Sequence, residues 1–129
     1  MHLLLTLFFS SLTTLAATHI TALTFFLYWK YLWLDMPVHI LGGITVILGV
    51  SILPFFGITV PKRYKTLFAS IILVFSIGIL WELFEVYAGV PTAREGFLFD
   101  TCIDLLMDIL GGVLGYGIVK SITTLTHTS

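Results

Sequence analysis

Residues 101–122 read TCIDLLMDILGGVLGYGIVKSI, and this stretch places the strongest constraint on the architecture of the chain. Eleven residues, ILGGVLGYGIV, separate Asp108 from Lys120, and in a helix they cover about 17 Å. The hydrocarbon core of a bilayer is about 30 Å thick. If the segment spans a membrane, Asp104 and Asp108 must therefore enter it, where carboxylates are costly and usually functional.

The whole chain has the composition of a membrane protein. Of its 129 residues, 58% are hydrophobic and 10% are charged, against about 25% charged residues in soluble domains. Disordered chains combine low hydrophobicity with high net charge, whereas the net charge here is -1, which also argues against a nucleic-acid-binding surface. A single cysteine excludes an intrachain disulfide framework and a cysteine-ligated zinc site.

Four apolar segments are long enough, or nearly so, to cross a membrane as helices. They cover residues 3–29, 37–56, 66–87 and 101–122. Asp35 and Pro37 form a favourable start for the second helix, with the carboxylate at the N-cap and the proline in the first turn. We therefore predict one domain over residues 1–129, an all-α four-helix bundle that passes repeatedly through the membrane.

Small and hydroxyl side chains form a stripe along one face of the first segment, which we interpret as a packing surface for another helix. The stripe consists of Thr6, Ser10, Thr13, Ala17, Thr21 and Thr24. His19 lies on the opposite face, and nothing in the sequence supplies it with a partner. The segment lacks the basic n-region and the short apolar core of a signal peptide, so we predict a spanning helix.

Basic residues favour one orientation of the bundle. Lys62, Arg63 and Lys65 lie between the second and third segments and Lys120 follows the fourth, whereas two basic residues lie on the other side. The positive-inside rule then places both termini in the cytoplasm and the chain in the cytoplasmic membrane.

All the acidic residues fall at the opposite, extracytoplasmic end of the predicted helices. They are Asp35, Glu82, Glu85, Glu95, Asp100, Asp104 and Asp108. On three helices, ionisable residues share a face with glycines, which permit close helix packing. On the second helix the face carries Asp35, His39, Gly43, Val46 and Val50. On the third it carries Phe75, Gly78, Glu82 and Glu85, and on the fourth it carries Asp104, Asp108, Gly111 and Gly115.

We expect these three faces to meet inside the bundle near its outer surface. A hydrogen-bonded network that fixes helix order would be the purely structural explanation. Several buried carboxylates, opposed by Arg94 and a protonated His39, cannot all stay ionised, so either some are protonated or a cation binds. The charge balance therefore favours a functional site.

Four short motifs lie in order at the helix ends: Asp35-x3-His39, Glu82-x2-Glu85, Pro91-x2-Arg94 and Asp104-x3-Asp108-x2-Gly111. Together they resemble the VanZ-like membrane proteins and the related YjdF-type small proteins of the bacterial inner membrane. The resemblance covers residues 35–115 and implies a multi-pass inner-membrane protein, with a link to the cell envelope and to glycopeptide resistance. Met36, Glu85 and Asp108 replace the usual Lys, Gln and Asn, and two of these changes add a carboxylate.

Three functions remain open, and the sequence leaves undecided whether the protein is an enzyme. In the first, carboxylates hold Mg²⁺, Mn²⁺ or Ca²⁺, which polarises a lipid headgroup or a lipid-linked envelope intermediate. His39 would then be a ligand or general base and Arg94 an anion clamp. The candidate ligands are Asp35, Glu82, Glu85, Asp104 and Asp108.

In the second, the carboxylates relay protons or ions across the membrane. In the third, the chain is an accessory protein that recognises a lipid, an antibiotic or another membrane protein. Motifs such as HExxH are absent, and Glu82 and Glu85 lack the Glu-x-x-His pattern of di-iron bundles, so we expect no di-iron site. The glycine-rich helix faces also allow an oligomer.

Overall fold

The structure, a computed structural model, describes residues 2–89 and 96–127. These residues form five α-helices joined by turns and short 3-10 segments: α1 (His2–Thr24), α2 (Leu27–Lys30), α3 (Asp35–Ile52), α4 (Leu67–Ala88) and α5 (Phe97–His127). Helices α1, α3, α4 and α5 lie in four segments that are long and apolar enough to cross a membrane. The predicted all-α four-helix architecture is therefore confirmed.

The first spanning helix ends earlier than the predicted boundary at residue 29. Phe26 adopts a left-handed backbone conformation with φ of 54°, which is rare for a bulky side chain and interrupts the helix. The short helix α2 then returns Tyr28 toward α1, where its hydroxyl oxygen lies 2.8 Å from Nδ1 of His19. The turn thus supplies the partner that the sequence alone did not identify.

The hydroxyl stripe of α1 faces outward, so it is not a packing surface between helices of the described chain. All six of its residues are exposed. The hydroxyls of Thr6 and Thr24 donate to backbone carbonyls four residues earlier, a local bond that needs no partner helix. The opposite face of α1 packs on α3, where the hydroxyl oxygens of Ser11 and Thr45 lie 2.6 Å apart.

Helices α3 and α5 approach each other most closely, and glycines make this approach possible. A Cβ atom on Gly111 would collide with the backbone of Ile40, and one on Gly43 would collide with the backbone of Asp108. Small residues at such positions let membrane helices pack backbone to backbone. These glycine faces are therefore used inside the chain's own bundle.

Helix α4 packs mainly on α5 and buries a stripe with a spacing of four residues. The buried positions are Ser70, Val74, Gly78 and Glu82. Phe75 is 40% exposed, so its predicted place on the inward face is wrong. The contact with α5 follows a row of side chains spaced four residues apart on α4, so Val74 faces the bundle and Phe75, the next residue, faces outward.

The ends of two further helices also differ from the prediction. Asp35 is the first residue of α3, and it does not cap the helix: Leu34 holds the N-cap position, and no side chain caps the backbone there. The Asp35 carboxylate instead turns toward His39, one helical turn later. Helix α5 starts four residues before residue 101 and continues past residue 122 to His127.

Candidate functional site

Ionisable side chains from three helices meet where α3 begins, α4 ends and α5 begins, which we call the acidic end of the bundle. Helix α3 contributes Asp35 and His39, α4 contributes Glu82, and α5 contributes Asp104 and Asp108. We call these five residues the carboxylate–His cluster. Apart from Asp35, which is half-buried, all of them are buried. The predicted meeting of the three faces is therefore present in the structure.

His39 lies at the centre of the cluster. Its Nε2 atom faces three carboxylate oxygens, from Asp35 at 3.7 Å, Asp104 at 3.9 Å and Glu82 at 4.0 Å. These distances are too long for hydrogen bonds. Nε2 is buried without a hydrogen-bond partner in the described part of the chain, and so is Oε1 of Glu82.

The other ring nitrogen of His39 has a different environment. Its Nδ1 atom lies 3.2 Å from Oδ1 of Asp108, within hydrogen-bonding distance. In the neutral imidazole, a proton on Nδ1 would leave the lone pair on Nε2, whereas in the imidazolium both ring nitrogens carry a proton. The ring is thus oriented with Nδ1 at Asp108 and Nε2 toward Asp35, Glu82 and Asp104.

Glycines on two helices make room for the Asp108 carboxylate between them. A Cβ atom on Gly78 of α4 would collide with Oδ2 of Asp108, and one on Gly42 of α3 would lie 3.8 Å from Oδ1. Oδ2 has no hydrogen-bond partner within the described residues. Asp108 is therefore held close to His39 by helix packing across a sequence separation of 69 residues.

Glu82 is held by a residue that was not among the predicted site residues. The hydroxyl of Thr101 donates a 2.8 Å hydrogen bond to Oε2 of Glu82, which leaves Oε1 directed at His39. Thr101 precedes Asp104 by three residues and shares its helix face, so this spacing was a usable signal.

The cluster has the spacing of a cation-binding site. Potential ligand atoms of Asp35, His39 and Asp104 lie within 4.8 Å of one another, and so do those of His39, Glu82 and Glu85. All five carboxylates predicted as ligands therefore lie at or beside the cluster. Arg94, predicted as an anion clamp, and Pro91 and Glu95 lie outside the described residues.

Comparison with known proteins identifies the family to which the chain belongs. No curated protein and no solved structure matches it. A family model described as a predicted membrane protein, DUF2238, matches residues 1–124, which is nearly the whole chain. This match agrees with the four apolar helices long enough to cross a membrane. The chain therefore belongs to the DUF2238 family of membrane proteins.

Proposed function

We propose that the protein binds a divalent cation in the carboxylate–His cluster and uses it to hold or activate the headgroup of a lipid or lipid-linked cell-envelope component. The observation that carries this proposal concerns Nε2 of His39, which is buried without a hydrogen-bond partner among the described residues and faces carboxylate oxygens from three helices. A buried polar atom without a partner is uncommon and calls for an explanation, such as an ion.

The distances suit ligands of one ion better than direct contacts between side chains. Bonds to oxygen are about 2.0–2.1 Å long for Mg²⁺ and about 2.3–2.6 Å for Ca²⁺, so two ligands of one ion lie at most about 4.2 Å apart around Mg²⁺ and about 5.2 Å apart around Ca²⁺. The separations of 3.7–4.0 Å around Nε2 fall inside both limits. A divalent ion would also offset the repulsion among the clustered carboxylates.

The geometry divides the cluster into two roles. The ligand atoms come from one of two groups that share His39: Asp35 with Asp104, or Glu82 with Glu85. Asp108 acts as a positioning residue, because its carboxylate holds Nδ1 of His39, an arrangement common for metal-binding histidines. Among Mg²⁺, Mn²⁺ and Ca²⁺, an imidazole ligand favours Mn²⁺.

The depth of the cluster suggests the substrate class. A cation at the end of the spanning helices lies near lipid headgroups, where it would polarise a phosphoryl or carbonyl oxygen. The resemblance to VanZ-like proteins supports an envelope component and a site on the extracytoplasmic side of the inner membrane. Arg94 would hold a second anionic oxygen of the headgroup. An accessory role in antibiotic resistance would use the same site for binding without chemistry.

Translocation of protons or ions has less support. Toward the other end of the bundle, the described core is apolar around Leu48, Ile52 and Val74, and Ser11 with Thr45 adds only hydroxyls. Proton relays are generally built from titratable side chains. A pH-flux assay in proteoliposomes, comparing wild type with Glu82→Gln, separates the two functions, since a flux lost in the variant would favour transport.

The cation is tested by elemental analysis of the purified protein after its affinity tag has been removed. We expect about one divalent ion per chain in the wild type and in Cys102→Ser, which replaces an exposed residue outside both ligand groups. Asp104→Asn with Asp108→Asn should lose the ion while remaining helical. Added Mn²⁺ at 100 times Kd should stabilise the wild type by about 2.7 kcal/mol. A metal-free wild type that Mn²⁺ does not stabilise would refute the proposal.

A further inference from the structure

A cavity of about 360 Å³ lies beside the carboxylate–His cluster, inside the spanning part of the bundle. Its walls run from Leu12 to Ile20 on α1, from Val38 to Val46 on α3 and from Val74 to Trp81 on α4. All three stretches belong to the candidate membrane spans. Its volume falls in the range of pockets that bind small ligands.

The lining of the cavity is polar at one end only. Titratable side chains enter it near the acidic end, from His19, His39 and Asp108. Below them the walls are apolar, and Val46 lies two helical turns, about 10 Å, deeper along α3 than His39. His39 and Asp108 therefore belong both to the cavity and to the cluster.

The cavity lies between α1 and α4, which do not pack along their lengths. Helix α1 packs on α3, and α4 packs mainly on α5. In the described chain, α1 and α4 meet through the rings of His19 and Trp81, whose centroids lie 5.2 Å apart. The hydrogen bond to Tyr28 holds His19 in this position, and His19 lines the same cavity as His39 and Asp108. Toward the middle of the membrane, the space between α1 and α4 is bounded by apolar side chains.

We infer that this cavity holds one hydrocarbon chain of a membrane lipid, whose headgroup lies at the carboxylate–His cluster. An apolar cavity at membrane depth disfavours water, and the surrounding bilayer offers hydrocarbon at high concentration. At about 30 Å³ per group of the size of water, the cavity accommodates on the order of ten methylene groups. The inference rests on the proposed function and specifies its substrate class as a lipid with an anionic or carbonyl-bearing headgroup.

The test fills the cavity and counts bound lipid. Wild type and variants are reconstituted in nanodiscs of palmitoyl-oleoyl-phosphatidylglycerol, transferred to detergent and examined by native mass spectrometry. Ala16→Phe and Val46→Phe place a ring in the cavity from two different helices. Ala17→Phe is the matched control, since Ala17 is exposed and outside the lining.

We expect one phosphatidylglycerol to remain on the wild type and on Ala17→Phe. Retention of the lipid should fall about tenfold in each cavity-filling variant. This is the expected effect if the new ring displaces roughly two methylene groups of the lipid chain from the cavity. Equal retention in all four proteins, or none in the wild type, would overturn the inference. If one variant fails to fold, the other still decides.

The metal content of the same samples separates this inference from the proposed function. The cavity-filling variants should keep their divalent ion, because neither replaced side chain is among the ligand groups. Lipid retention that depends on the cavity in a metal-free protein would leave the inference standing and refute the cation. If the protein binds an ion but Ala16→Phe and Val46→Phe do not change lipid retention, the proposed cation site stands and the inference about the cavity is refuted.

Discussion

Replacing Gly111 by alanine should push α3 away from α5 and disrupt the cluster without touching any of its side chains. The new Cβ would lie 2.8 Å from the carbonyl carbon of Ile40 and 3.0 Å from its Cα. These are backbone atoms of the facing helix, so no side-chain rotation relieves the collision. The helices must separate by several tenths of an ångström.

The size of the effect follows from a comparison with Gly117 on the same helix, where a Cβ meets nothing within 4 Å. Both substitutions gain the same helix propensity, roughly 1 kcal/mol. Only Gly111→Ala adds the cost of overpacking, about 1–3 kcal/mol. We therefore expect Gly111→Ala to be about 1–3 kcal/mol less stable than Gly117→Ala.

The separation should also affect the cluster. The 3.2 Å contact between Nδ1 of His39 and Oδ1 of Asp108 is already at the long end for a hydrogen bond, so a small shift breaks it. Reversible unfolding in mixed micelles measures the stability difference, and Mn²⁺ titration measures binding. If Gly111→Ala were as stable as Gly117→Ala and bound Mn²⁺ equally well, the glycine contact would not control the site.

Three further predictions address other contacts. Thr101→Val removes the donor that orients Glu82 and should weaken Mn²⁺ binding about 10–100-fold with the fold intact, as measured by titration calorimetry. Ser11→Ala removes the bond to Thr45 between α1 and α3 and should lower the free energy of unfolding by about 0.6 kcal/mol. The third prediction concerns the loop between α3 and α4, which carries Lys62, Arg63 and Lys65. If this loop faces the cytoplasm, Thr59→Cys in a cysteine-free background should react with a membrane-impermeant maleimide only after the cells are permeabilised.

Each of these predictions has its own control. Cys102→Ser replaces an exposed neighbour of Thr101 and should leave Mn²⁺ affinity unchanged. Ser10→Ala, on the exposed face of α1, should unfold like the wild type. Lys30→Cys, expected on the opposite side of the membrane from Thr59, should be labelled in intact cells. The reverse labelling pattern would invert the orientation.

Much of the architecture was predictable because the bilayer constrains sequence strongly. A spanning helix needs about 20 apolar residues, so the four helices can be counted from the sequence alone. The short apolar run after Asp108 predicts that Asp104 and Asp108 enter the membrane, and in the structure both side chains are buried inside the bundle. Helical periodicity also placed His39 and Glu82 on inward faces, because a face depends only on local spacing.

Other features depend on contacts between distant parts of the chain. Periodicity does not say which face of one helix meets which face of another. For this reason the sequence does not predict that the stripe on α1 faces outward or that Phe75 is exposed. The break at Phe26 lies within an apolar run that carries no helix-ending signal, and only the returning chain pairs Tyr28 with His19.

Composition and spacing along the chain are enough to establish a four-helix membrane protein with its acids gathered at one end. The reason is that the length and apolarity of each segment determine whether it can span the membrane. They do not establish that Asp108 holds one nitrogen of His39 while carboxylates from three helices surround the other. That arrangement exists only in the folded bundle. It is set by the close approach of glycine backbones on α3 and α5, which lie about 70 residues apart in the chain.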